Sequence, residues 1–201
     1  MKEAVLVTGA STGIGYATSA LLAREGFTVF AGVRSGGDHE RLSAIPGIAP
    51  LQLDVTDAEA IRDAAHIVHE NGSPLRAVVN NAGIVVPGPL EFLPIDELRR
   101  QFEVNFFGAL AVTQAFLPML RAAKGRIVFM SSVSGQIATA FVGAYSSSKF
   151  ALEAASDALR MELRSSGVGV SVVQPGNVNT PIWRKGRSGK DELLALSLIH
   201  I

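Results

Sequence analysis

Six short apolar runs separated by helix-like stretches constrain the fold of this chain more than any other feature. The runs occupy residues 4–8, 27–33, 49–53, 76–80, 127–131 and 168–174. Between them, small and apolar residues recur at helical spacing. Strands that alternate with helices form right-handed crossovers and a parallel sheet covered on both faces. The sequence therefore predicts an α/β protein with a doubly wound parallel sheet of six strands in the order 3-2-1-4-5-6.

Composition describes a globular domain with no net charge. The chain has 201 residues, 48% hydrophobic and 18% charged, and its 18 basic residues balance 18 acidic ones. We therefore expect a single domain over residues 1–183, with no nucleic-acid or membrane partner. The absence of cysteine excludes disulfides, thiolate metal sites and thiol nucleophiles. No apolar run of membrane-spanning length and no signal peptide were recognised, so the expected location is cytoplasmic.

A glycine-rich turn joins the first strand to the first helix. Gly9, Gly13 and Gly15 follow Thr8 in the pattern TGxxxGxG. Glycines let a backbone approach a pyrophosphate closely, and a helix N-terminus offers it unpaired N–H groups. The turn predicts a dinucleotide site of the Rossmann type, whose remaining contacts are Ser11, Thr12 and Ile14. The alternative is a strand-to-helix turn that binds nothing.

Arg34 follows the second strand, where an acidic residue usually holds the 2′-hydroxyl of NAD. An arginine at this point can pair with a 2′-phosphate. We therefore expect NADP to be preferred, with NAD as a possible cofactor. The alternative is an exposed arginine in a loop.

Tyr145 and Lys149 lie four residues apart in a predicted helix and share one of its faces. A free tyrosine has a pKa of about 10, roughly 3 units too high for a base near neutral pH, a gap worth about 4 kcal/mol. An ammonium roughly 5 Å away supplies about 3 kcal/mol at an effective dielectric constant near 20. An oxidised nicotinamide ring carries a second positive charge that could supply the rest. The alternative is a surface tyrosine beside a solvated lysine.

The order of these motifs along the chain is typical of a known protein family. The glycine turn precedes Asn80-Asn81-Ala82-Gly83, Asn105, Ser132 and the Tyr145–Lys149 pair. Together they resemble the short-chain dehydrogenase/reductase family over nearly the whole chain.

The resemblance implies a catalytic set. Tyr145 would be the general acid/base, and Lys149 would lower its pKa and bind the nicotinamide ribose. Ser132, rather than Ser131, would orient the substrate oxygen. Asn105 would hold a proton-relay water, the alternative being an asparagine that bonds within its own helix.

The resemblance also implies cofactor contacts beyond the glycine turn. They come from the turn after the fourth strand, the end of the third strand and the loop after the sixth. The residues are Asn81, Ala82, Gly83, Asp54, Val55, Pro175, Gly176, Val178 and Thr180, besides Tyr145 and Lys149. For Asp54 the alternative is an ordinary turn aspartate.

The implied reaction is hydride transfer between a nicotinamide cofactor and an alcohol or ketone, without a metal. Segments around residues 81–84, 88–92 and 180–183 are similar to the subgroup with retinol and 17β-hydroxysteroid dehydrogenases, so a hydrophobic small molecule is expected. Phe141, Val142 and Trp183 are candidate wall residues, the alternative being core or lid packing. Two other functions stay open: an epimerase or dehydratase on a related scaffold, and a non-catalytic nucleotide-binding regulator. The intact parent is expected to form a homodimer or homotetramer.

The end of the chain departs from the family pattern. Residues 184–201 are expected to be a flexible, incomplete segment that lacks the family's seventh strand. Residues 196–201 can be encoded by CTGTCTCTTATACACATC, a string similar to a transposon-end adapter used in sequencing libraries. We therefore expect a gene fragment with a non-native end, the alternative being a naturally short C-terminus. An uncovered sixth strand predicts poor solubility and weak activity for this polypeptide.

Overall fold

The computed structural model describes residues 2–183 and has one six-stranded sheet. Every neighbouring pair of strands is parallel, and the order is β3-β2-β1-β4-β5-β6. The predicted fold class and strand order are confirmed. The strands are β1 (Ala4–Val7), β2 (Thr28–Val33), β3 (Ile48–Gln52), β4 (Leu75–Asn80), β5 (Arg126–Met130) and β6 (Gly169–Val173).

Helices connect consecutive strands and cover both faces of the sheet. They are α1 (Gly13–Arg24), α2 (Gly36–Ser43), α3 (Ala58–Glu70), α4 (Ile95–Phe102), α5 (Gly108–Ala123) and α6 (Gly143–Glu162). Strand β1 shows why its run is continuously apolar. Ala4 and Leu6 belong to one buried cluster, whereas Val5 and Val7 belong to another. Both faces of a central parallel strand are buried, so alternation with polar residues is absent.

A π-helical turn interrupts the long helical segment Ile95–Ala123. Helix α4 passes into the five-residue turn Glu103–Phe107 and then into α5, which ends at Ala123. Gly108, at the start of α5, packs against the loop after β3, and a Cβ there would lie 2.8 Å from the Val55 carbonyl oxygen. The turn places Asn105 in the fully buried part of the helix. Such turns insert one extra residue and often mark functional sites.

The continuous helical segment Ile95–Ala123 is long and apolar enough to cross a membrane, contrary to the sequence expectation. Its length and composition are weak evidence, because a core helix of a globular protein meets the same test. Val112, Phe116 and Leu120 of this segment are fully buried in the cluster that covers the sheet. We therefore interpret it as a core helix.

Two helices begin at glycines. Helix α1 starts at Gly13, so the last two glycines of the turn form its first turn. Helix α2 starts at Gly36, because the Ser35 hydroxyl accepts from the Asp38 N–H at 3.2 Å.

Strand β6 is an edge strand within residues 2–183, pairing only with β5. Val173 at its end is 43% exposed. The predictions on residues 184–201 fall outside the described part of the chain.

Candidate active site

A cavity of about 390 Å³ lies where the carboxyl ends of the strands meet. Parallel sheets of this order bind ligands at this edge. Most of the predicted site residues line the cavity. They are Gly9, Ser11, Thr12, Gly13, Ile14, Arg34, Asp54, Val55, Asn81, Ala82, Gly83, Ser132, Tyr145, Lys149, Pro175, Gly176, Val178 and Thr180. Gly15 and Asn105, which were also predicted, do not line it.

The glycine turn forms one end of the cavity and has a backbone that favours glycine. Gly9 and Gly13 have φ values of +64° and +58°, in the left-handed region. Thr12 precedes helix α1 without a side-chain cap for its first N–H groups. A helix start without a cap has donors left for a ligand. Gly15 has a packing role, since a Cβ there would lie 2.4 Å from both the Gly9 carbonyl oxygen and Asn81 Nδ2.

Thr8 joins the glycine turn to the turn after β4. Its hydroxyl oxygen accepts from the backbone N–H groups of Asn81 and Ala82, each at 3.0 Å. In return, Asn81 Nδ2 donates to the carbonyl oxygens of Thr8 at 2.9 Å and Gly9 at 3.1 Å. The two turns that line this end of the cavity are therefore held together by four hydrogen bonds.

Tyr145 and Lys149 are buried in the first half of helix α6 and face the cavity. The Lys149 ammonium lies 5.7 Å from the centroid of the Tyr145 ring. It donates to the Met130 carbonyl oxygen at 2.6 Å, which fixes it at the end of β5. The surface-pair alternative for these two residues is therefore wrong.

The protein environment acts on the two titratable groups in directions the sequence argument did not anticipate. Burial raises the pKa of Tyr145, and a hydrogen bond with the Ser132 side chain opposes that change. Burial also lowers the pKa of Lys149 to about 8, while attraction to Glu153 acts to raise it. The expected lowering of the Tyr145 pKa is thus not achieved by the protein groups, because desolvation disfavours the phenolate more than Ser132 stabilises it.

Ser132 is positioned by a short helical turn after β5. Its hydroxyl accepts from the Ser134 N–H at 3.1 Å and hydrogen-bonds with Tyr145. Ser131 also lines the cavity, and its buried hydroxyl has no hydrogen-bond partner within the described residues. Ser132, rather than Ser131, is therefore the serine that contacts the phenol.

Asn105 lies behind the cavity wall. Its Oδ1 accepts from the Ile84 N–H at 2.8 Å, and its Nδ2 donates to the Ile84 carbonyl oxygen at 3.0 Å and the Ser148 hydroxyl at 3.2 Å. The local-bond alternative is wrong, because these partners lie on other segments. The side chain thus holds the segment at Ile84 in place. A relay water held by the Asn105 amide remains a prediction.

The far end of the cavity lies beside β2 and β3. Arg34 lines it with a side chain that is 68% exposed, and its guanidinium lies 4.0 Å from the Asp54 carboxylate. Asp54 also accepts from the Thr56 N–H at 2.9 Å and so closes its own turn. Arg41 of α2 donates to the Ser11 carbonyl oxygen at 2.6 Å, placing a second guanidinium beside the glycine turn.

The loop after β6 closes one side of the cavity. Trp183, the single tryptophan of the chain, lines the cavity and meets the Tyr145 ring edge-on at 5.8 Å between centroids. Phe141 and Val142, the other candidate wall residues, do not line it. The Phe141 carbonyl oxygen instead accepts from the Gly88 N–H at 2.8 Å.

Sequence reasoning missed several lining residues. Gly32 and Leu53 lie at or just beyond the carboxyl ends of β2 and β3, a position that could have identified them. Arg100 and Val104 come from α4 and the π turn, and no local signal marks them. Ile84, Val85, Met130, Ser131, Pro181 and Ile182 complete the missed set, with Val33 beside Arg34.

Comparisons with known proteins agree on one family. A family model described as short chain dehydrogenase matches residues 3–191. The chain is 46% identical to a 3-amino-tetrahydro-pyrrolizinone reductase of Xenorhabdus hominickii, over 98% of this chain and 69% of the relative. It is 43% identical to the estradiol 17-beta-dehydrogenase 2 of Rattus norvegicus, over 90% of this chain and 49% of that protein. Both relatives therefore extend well beyond the aligned length.

Solved structures share the fold. A variant of actinorhodin polyketide ketoreductase, solved with NADPH, superposes with a TM-score of 0.88 at 29% identity. The match covers 95% of this chain and 76% of the ketoreductase.

Proposed function

This chain belongs to the short-chain dehydrogenase family of oxidoreductases, and from that premise we propose that it reduces hydrophobic ketones with NADPH. Tyr145 is the general acid of the proposed reaction. One observation carries the proposal. The Tyr145 phenol, hydrogen-bonded to Ser132, faces the same cavity as the glycine turn, one helical turn from a buried lysine.

The residues of the cavity fit a dinucleotide. The uncapped start of α1 offers N–H donors and a partial positive charge to a pyrophosphate. Arg34, and Arg41 behind Ser11, provide positive charge at the end where a 2′-phosphate would lie. When bound, the reduced nicotinamide supplies the hydride. The protein supplies orientation, a proton and exclusion of water.

The pKa directions favour reduction. A phenol with an ordinary pKa of about 10 is protonated at neutral pH, and burial raises the pKa of Tyr145 further, so this group can donate a proton to a developing alkoxide but is a poor base. Ser132 would donate a second hydrogen bond to the same substrate oxygen. The Lys149 pKa of about 8 leaves the ammonium mostly protonated near neutral pH, where it can stabilise the phenolate left after transfer.

Apolar side chains favour a hydrophobic substrate. Ile84, Val85, Ile182 and Trp183 line the cavity, and Trp183 contacts the Tyr145 ring. The rat relative is named for estradiol, a bulky apolar alcohol, which supports a hydrophobic substrate for this chain.

The proposal extends to location and assembly. We place the protein in the cytoplasm and expect it to assemble through the helices that carry Asn105 and Tyr145. Phe107 and Phe150, in these helices, are 51% and 43% exposed, which supports an apolar contact surface.

A Tyr145→Phe variant tests the function. The phenol oxygen is lost while the ring stays, so NADPH binding should persist and turnover should fall by about two to four orders of magnitude. Binding is followed by energy transfer from Trp183 to bound NADPH, and turnover by NADPH oxidation with a panel of hydrophobic ketones that includes 2-tetralone.

The control is Tyr16→Phe, which removes a hydroxyl from a ring outside the cavity lining. Unchanged turnover in Tyr145→Phe would exclude the proposed acid. NADPH binding without turnover of any ketone by the wild type would favour the non-catalytic regulator.

A further inference from the structure

Residues 84–86 follow β4 in a segment without regular secondary structure and pair with no strand in the described chain. Val86 is fully buried, so its backbone N–H needs a partner within the protein. Two side-chain amides one helical turn apart, Gln101 and Asn105, replace the missing strand.

Gln101 is fully buried and uses both ends of its amide. Its Oε1 accepts from the Val86 N–H at 2.7 Å, and its Nε2 donates to the Ile84 carbonyl oxygen at 2.8 Å. Asn105 pairs with the N–H and carbonyl of Ile84. The four bonds reproduce the alternating donors and acceptors of a sheet ladder. Neither amide lines the cavity.

The segment lies between the cavity and the start of α6. Ile84 and Val85 line the cavity, while Val86 belongs to a small buried cluster with Ala144, the neighbour of Tyr145. The position of this wall relative to the phenol therefore depends on what holds residues 84–86.

The preceding turn has a separate anchor. Asn81 and Ala82 are held by the Thr8 hydroxyl. Releasing Gln101 should therefore move the substrate wall more than the turn beside the glycine loop.

We propose that Gln101 is a positioning residue that sets the distance between the Ile84–Val85 wall and Tyr145, and with it the fit of the substrate. This inference rests on the proposed ketone reduction. Only a group with one donor and one acceptor can make both bonds, so neither an apolar side chain nor an ionised carboxylate can replace the amide.

Gln101→Leu removes both bonds at similar size. Losing them should raise KM for the best ketone of the panel roughly tenfold, with a smaller change in kcat and NADPH affinity kept within about twofold. Amide hydrogen exchange should become faster in the peptide that contains residues 84–86 and remain unchanged around residues 8–16. The matched control is Ser156→Ala, since the buried Ser156 hydroxyl donates only to the Leu152 carbonyl oxygen of its own helix.

Gln101→Glu should give a pH-dependent KM, which a merely structural role of Gln101 would not produce. A protonated carboxylic acid can make both bonds, whereas the carboxylate faces the Ile84 carbonyl oxygen. The ratio of the variant KM to the wild-type KM should fall toward one as pH is lowered.

Unchanged exchange at residues 84–86 in Gln101→Leu, or an unchanged KM in a folded variant that binds NADPH, would overturn the role of Gln101. Failure of the proposed function has a different signature, namely wild-type protein that turns over no ketone. In that case amide hydrogen exchange still shows whether Gln101 holds residues 84–86 in place.

Discussion

The Lys149 ammonium donates to the Met130 carbonyl oxygen across 2.6 Å, which ties the cavity-facing side of helix α6 to the end of strand β5. Both residues line the cavity. The bond holds a positive charge in a site that water scarcely reaches, and the buried charge has consequences for stability as well as for chemistry.

Lys149 should make the stability of the protein rise with pH between about pH 8 and about pH 10. Burial lowers the pKa of this lysine from 10.5 to about 8 in the folded state. Below pH 8 both states bind the proton, so the folded state bears the full cost of burying the ammonium. As pH rises toward 10, the folded state releases the proton while the unfolded chain retains it, and the cost disappears. The full change is at most about 3 kcal/mol.

Denaturant unfolding at about pH 7 and about pH 9.5 measures this change. Lys149→Met should abolish the rise, and Lys2→Met, which removes an exposed ammonium, should retain it. Glu153→Gln should move the start of the rise to lower pH, since Glu153 acts to raise the pKa of Lys149. Readings stay below pH 10, where the raised pKa of Tyr145 begins to act in the opposite direction. A rise of equal size in Lys149→Met would contradict the assignment.

Arg34→Ala should weaken NADPH binding roughly tenfold or more and change NADH binding less than about twofold. The guanidinium lies at the end of the cavity beside β2, where the 2′-phosphate of NADPH would lie in the proposed complex and where NADH has no phosphate. Energy transfer from Trp183 measures both affinities. Arg62→Ala, on the exposed side of α3, is the control. Equal losses for the two cofactors would show that Arg34 does not read the 2′-phosphate.

Gly15→Ala should destabilise the protein by about 1–3 kcal/mol, because the new methyl group has no space. Its Cβ would lie 2.4 Å from the Gly9 carbonyl oxygen and 2.4 Å from Asn81 Nδ2. Gly176→Ala is the matched control, since a Cβ there meets nothing within 4 Å. Thermal unfolding compares the two, and equal melting temperatures would argue against the close packing of α1 on the turn.

Thr8→Val should lower the free energy of unfolding by about 2 kcal/mol, because the N–H groups of Asn81 and Ala82 lose their common acceptor. It should also weaken NADPH binding. The two side chains are similar in shape, so packing changes little. Ser19→Ala removes another buried hydroxyl, one that donates only to the Gly15 carbonyl oxygen of its own helix. A loss in Thr8→Val no greater than in Ser19→Ala would show that the two turns do not depend on this hydroxyl.

Local patterns predicted much of the fold and of the candidate site. The apolar runs identified all six strands, the usual doubly wound arrangement supplied their order, and spacing placed Tyr145 and Lys149 on one face of a helix. Asn105 shows the limit of such reasoning. The sequence identified Asn105 as a candidate site residue. It could not identify the partners Ile84 and Ser148, which lie 21 and 43 residues away along the chain.

The pKa of Tyr145 also could not be predicted from local spacing alone. A spacing of four residues predicts the approach of an ammonium, which would lower the pKa of the phenol. The degree of burial depends on Trp183, Ser132 and the rest of the cavity wall, and burial proves to be the larger influence.

The sequence by itself determined the strand and helix alternation, the glycine turn and the residue types of the site, because each is a periodicity or a spacing along one stretch of chain. Only the tertiary structure decided the π turn at Asn105, the hydrogen bonds of Gln101 with Ile84 and Val86, and the balance of charge and burial around Tyr145. Those features arise where segments distant in sequence exclude water and share hydrogen bonds, and the energy of such contacts depends on three-dimensional proximity rather than on local order.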